Sequence, residues 1–89
     1  MALRILSSPG ASDDTAQELR SCIAAALPGA EVEVEAASPG HFAIRVVSRA
    51  FEGESRVRQQ QIVYRAIAHL MQGDDAPVHA IDQLKTELP

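Results

Sequence analysis

Hydrophobic positions fall into five runs, separated by polar stretches that carry glycine or proline. In the first, Leu19, Ile23, Ala26 and Leu27 recur at i, i+4, i+7 and i+8, which is one apolar stripe of a helix. Thr15 and Glu18 stand in capping-box relation at its start, Asp13 and Asp14 add negative charge near the N-terminus, and Pro28-Gly29 stops it. Residues 31–36 alternate strictly, predicting a strand that buries Val32, Val34 and Ala36 and turns three glutamates to solvent. Ala37-Ser38-Pro39-Gly40 is a turn, and His41 to Ser48 is a second strand with Phe42, Ile44 and Val46 inward. So short a connection makes the pair an antiparallel hairpin.

A loop from Arg49 to Glu54, turning on Gly53, leads to Ser55, the expected N-cap of a second helix. That helix carries a broad stripe of Ile62, Val63, Ala66, Ile67, Leu70 and Met71, and Gly73-Asp74-Asp75-Ala76-Pro77 ends it. Residues 78–84 read as the last strand with a fault in it. Val78 and Ala80 share a face, whereas Ile81 and Leu84 break the period of two. One extra residue at Asp82-Gln83, a β-bulge, reconciles them. The order is α-β-β-α-β. Strand two, helix two and strand three form a crossover, which favours a right-handed connection and parallel strands. Both helices then cover one sheet face, an α+β two-layer sandwich with a three-stranded mixed sheet.

Eighty-nine residues suffice for one small domain. Residues 1–12, ending Ser-Ser-Pro-Gly-Ala-Ser, read as a flexible lead, and 13–89 as the domain. The single cysteine, Cys22, excludes an internal disulfide and a cysteine-rich zinc site, and it reads as a small core residue with no cationic neighbour in sequence. No apolar run approaches the roughly 20 residues that span a bilayer, so the expectation is a cytoplasmic protein without membrane association. Net charge is −4, which argues against bulk electrostatic binding of nucleic acid. Its distribution changes the picture: residues 41–73 hold five arginines against Glu52 and Glu54. There is no nucleophile elbow, no glycine-rich phosphate cradle and no HExxH, so an enzyme is not expected.

Several segments together resemble the BolA-like family. They are Phe51-Glu52-Gly53-Glu54-Ser55-Arg56-Val57, then Gln60-Gln61 and Val63-Tyr64, then Val78-His79-Ala80-Ile81, with His41-Phe42 opening the second strand. The resemblance runs from about Thr15 to Pro89. It implies a class II KH-like (BolA-like) fold, which has the α-β-β-α-β order, without the GxxG loop that clamps nucleic acid. Many relatives carry Arg-His where this chain has Gln59-Gln60, which points to the IbaG-like branch. Relatives usually continue into a Thr-Pro-x-Glu segment and a tail. Aligning Pro89 with that proline needs the same one-residue insertion near Asp82-Gln83.

The resemblance implies a non-enzymatic adaptor that shares a [2Fe–2S] cluster with a monothiol glutaredoxin and its glutathione, in iron–sulfur cluster assembly, trafficking or iron sensing. No cofactor is expected in the isolated protein, alone a monomer or weak homodimer. Histidine nitrogen is this family's contribution to the cluster. His79 is the first candidate ligand, His41 the second, and His69 is expected to face solvent. Imidazole suits iron, and histidine in place of thiolate raises the potential of a [2Fe–2S] centre. Arg49, Arg56, Arg58, Gln60 and Arg65 form the candidate partner surface, expected beside His79. The alternative function is a DNA-binding, stress-responsive transcription regulator of morphogene type. It would use the arginine-rich loop and helix start, with Gln59, Gln60 and Gln61 available to adenine edges but better read as surface amides.

Overall fold

The computed structural model describes residues 10–89, with side chains from residue 13 onward. Helix α1 spans Gly10–Ala26, β1 Glu31–Ser38, β2 His41–Val47, α2 Arg56–Ile67 and β3 Ala80–Glu87. A 3₁₀ turn at Arg49–Phe51 precedes α2, and another at Ala68–Leu70 tightens its end. The strands lie in the order β1-β2-β3, antiparallel in the first pair and parallel in the second. This is the expected α+β sandwich.

Residues 1–9 of the expected lead lie outside the described residues, while 10–12 already belong to α1. The helix therefore starts before the capping box that Thr15 and Glu18 spell. Thr15 is buried inside it beside Ala16, Leu19 and Ile23, so it extends the apolar face rather than capping it. Ala26, assigned to that stripe, is exposed. Gly29, at φ +86°, turns the chain into β1. Val34 is buried and Val32 packs against the core, but Ala36, near the turn end of the edge strand, is exposed.

Phe42, Ile44 and Val46 of β2 meet Leu19 and Ile23 of α1 and Val63, Ile67 and Leu70 of the second helical segment in one core. Phe51 closes that core from the loop. The 3₁₀ turn holding it is capped by Ser48 Oγ, which accepts from the Ala50 N–H at 3.0 Å. Ser55 caps α2 as expected, its Oγ accepting from the Arg58 N–H at 3.1 Å.

The last strand begins and ends later than the pattern suggested. The Val78 N–H donates to the Leu70 carbonyl at 3.2 Å, so Val78 serves as a core plug tied to the helical segment instead of a strand residue. Pairing with β2 starts at His41↔Ala80 and ends at Val47↔Glu87. The bulge is where the broken period puts it. Phe42 faces Ile81 and Ala43 faces Gln83, leaving Asp82 as the extra residue.

Candidate functional site

The turn between β1 and β2 is Pro39-Gly40, and Gly40 sits at φ +79°, in the left-handed region that only glycine enters at little cost. Its carbonyl accepts two N–H groups from the start of β3, from His79 at 2.8 Å and Ala80 at 3.1 Å. A Cβ added to Gly40 would stand 2.7 Å from His79 Nδ1 and 2.8 Å from its Cγ. The imidazole of His79 therefore lies directly on the glycine backbone, with the Nδ1 edge against the turn. The residue is exposed, and no side-chain hydrogen bond holds its ring among the described residues.

His41 follows Gly40 and opens β2. Its ring stands edge-on to that of His79, with centroids 6.5 Å apart and planes at 78°. Its Nδ1 lies 3.0 Å from Asp82 Oδ1, so the bulge residue of β3 reaches back over the strand pair to the first residue of β2. The hairpin turn and the strand start thus bring together both expected ligand histidines, with Asp82, the residue that marks the bulge, as a third polar group. Among the described residues, no three His, Cys, Asp or Glu side chains are disposed to hold a metal by themselves. His79 is exposed and His41 half-buried; two imidazoles suit iron, but they make half a ligand set. The donor chemistry therefore fits a cluster whose remaining ligands come from outside the chain.

The arginines do not share this end. Arg49 follows Val47, which pairs with Glu87, whereas His79 precedes Ala80, which pairs with His41. The length of β2 separates them, roughly 20 Å at ~3.3 Å per residue. Arg56 and Arg58 open α2 at the far end as well, and Arg58 Nε lies 3.8 Å from Glu54. The expectation that these arginines adjoin His79 fails because the crossover carries α2 back along the sheet. Arg65 alone of the arginines expected to meet a partner is carried toward the histidine end, in the last turn of α2. It lines a shallow depression with Gln61, Tyr64 and Ala68. Gln60 is half-buried.

Gln59 is neither a base reader nor a free surface amide. Its Nε2 donates to the Glu54 carbonyl at 2.9 Å and the Phe51 carbonyl at 3.4 Å, while its Oε1 accepts from Thr86 Oγ1 at 2.6 Å. It clamps the loop, α2 and β3. His69 is exposed as expected, yet its Nε2 lies 3.6 Å from Cys22 Sγ. Cys22 packs against the core as read, but it has an imidazole neighbour from 47 positions away that sequence could not reveal.

Among the described residues no helix is long and apolar enough to cross a membrane. No curated protein matches the chain. Solved structures do, along most of it. BolA1 from Arabidopsis thaliana is 25% identical with TM-score 0.69, covering 83% of this chain and 90% of its own. A bolA protein homologue from Coxiella burnetii is 30% identical with TM-score 0.67, over 82% of this chain and 88% of its own. Yeast Fra2 is 27% identical with TM-score 0.59, over 83% and 76%. The sequence profile of the BolA-like protein family matches residues 24–88, which run from α1 through the bulged strand, and the chain belongs to that family.

Proposed function

We propose that this chain is a non-enzymatic BolA-like adaptor that holds a [2Fe–2S] cluster jointly with a monothiol glutaredoxin, in cluster assembly, trafficking or iron sensing in the cytoplasm. The observation that carries the reading is the pairing of His79, seated on Gly40, with His41 at one exposed end of the sheet. His79 and His41 would supply the two nitrogen ligands, and the glutaredoxin and its glutathione the thiolates. A [2Fe–2S] centre with histidine in place of thiolate works at a raised reduction potential. The protein's own part is to hold two imidazoles side by side where the Gly40 turn meets the start of β3, and to offer a docking face. Arg65, nearest that end, suits a carboxylate such as those of glutathione. Gln59-Gln60 supports the IbaG-like branch.

The DNA-binding alternative would use Arg49, Arg56 and Arg58. Net charge of −4, the Glu54 contact to Arg58 and the inward use of Gln59 all weigh against it. The adaptor reading is tested by co-expressing the tagged protein with a monothiol glutaredoxin under iron-replete conditions. A purified complex containing both proteins, iron and acid-labile sulfide is expected. Recovery of this chain alone, free of iron, overturns the reading.

A further inference from the structure

We propose that Asp82 is a positioning residue for His41: the bulge in β3 sets its carboxylate on His41 Nδ1, so that His41 offers Nε2 to a metal. The proposal rests on the reading of His41 as a cluster ligand and adds to it a residue and an atom.

The argument starts from what a carboxylate can do. Ionised aspartate only accepts hydrogen bonds, so Nδ1 at 3.0 Å from Asp82 Oδ1 must carry the proton. In the neutral imidazole that leaves the lone pair on Nε2, the nitrogen on the other side of the ring. A ligating histidine commonly gives its second N–H to a carboxylate, which fixes tautomer and ring orientation and strengthens the donor.

The delivery of Asp82 is a feature of the backbone. In an unbroken strand the residue after Ile81 would pair with Ala43, but here Gln83 takes that place. Asp82 is released from pairing, and a bulge bends its strand and re-aims the side chain, in this case onto the first residue of β2. Further along the sheet Glu33 and Glu87 both bind Arg45, at 3.3 and 2.9 Å. Asp82 has no arginine or lysine partner among the described residues. An exposed ion pair is worth little to stability, and these side chains are 41% and 47% exposed, so stability is a poor explanation for the contact. Orienting a ring that must present one nitrogen is a better one.

The test reads the tautomer directly, without cluster. In ¹⁵N-labelled isolated protein above the imidazole titration range, long-range ¹H–¹⁵N correlations should show His41 protonated at Nδ1. Asp82→Ala should shift His41 toward the Nε2–H form and leave His79 unchanged. Lys85→Ala, which removes a charge from the same strand without touching His41, should leave His41 as it is. A wild-type His41 protonated at Nε2, or an unchanged tautomer in Asp82→Ala, overturns the proposal. On the glutaredoxin heterodimer, Asp82→Ala should shorten cluster lifetime against a chelator by roughly 10–100-fold. A changed tautomer with an unchanged lifetime overturns the positioning role. If the wild type forms no cluster at all, the cluster reading fails, and the tautomer result still decides whether Asp82 sets the ring.

Discussion

At Gly40 the backbone turns with φ +79°, and the His79 ring lies where a β-carbon would stand. Gly53 has the same φ with nothing within 4 Å of its would-be Cβ, so the two glycines separate backbone cost from ring seating. Gly53→Ala should cost about 1–2 kcal/mol, the penalty of a left-handed residue with a side chain. Gly40→Ala should cost more in urea denaturation, and should also shift the His79 imidazole resonances, which Gly53→Ala leaves in place. Equal costs with unmoved His79 signals would mean that Gly40 is no seat. The turn at Gly40 was readable from Pro39-Gly40, and both histidines stood out as candidates. What rests on the glycine was not readable, because His79 arrives from 39 positions downstream and only the β2–β3 register brings it there. The Cys22–His69 contact was hidden too, because it joins two helical elements 47 positions apart.

The elements were legible where a local pattern states its own geometry. Ser55 precedes a helical stripe and caps it; the alternation of β2 is complete and every inward residue is buried. The fault in β3's period marked the bulge, since one extra residue is the smallest change that restores alternation. Legibility failed where a pattern had two uses. Thr15 and Glu18 have the spacing of a capping box, yet the helix begins at Gly10 and Thr15 is buried within it. The far end of β3 is tied across the sheet by Arg45, which donates to both Glu87 oxygens, at 3.3 and 2.9 Å. That hydrogen bond holds the Glu87 carboxyl below its usual range and Arg45 above its own. With the folded value depressed, the contribution to stability is present above the unfolded carboxylate pKa and is lost as pH falls through the folded value. Glu87→Gln should therefore give a shallower acid limb in stability against pH than wild type. An acid limb of equal slope would remove Glu87 as a source of acid sensitivity.

The whole molecule is a small aliphatic core closed by two phenylalanines, Phe42 on the central strand and Phe51 on the loop, both with 0% exposure. Net stability for a small domain is only about 5–15 kcal/mol, so a fixed site needs anchors other than bulk burial. The histidine end has them: two backbone hydrogen bonds to Gly40, the Val78 plug against the helical segment, and Asp82 over the bulge. The arginine end is held separately by the Gln59 clamp and the Ser55 cap. These ends stand the length of a strand apart, so a partner sharing metal with His79 need not touch Arg56 or Arg58. The measurement that bears most directly on this account is the visible absorption and circular dichroism of a heterodimer reconstituted from this protein, a monothiol glutaredoxin, glutathione, iron and sulfide. A [2Fe–2S] spectrum that changes in His79→Ala, with both proteins still associated, is the result predicted. A spectrum identical in wild type and His79→Ala would contradict it.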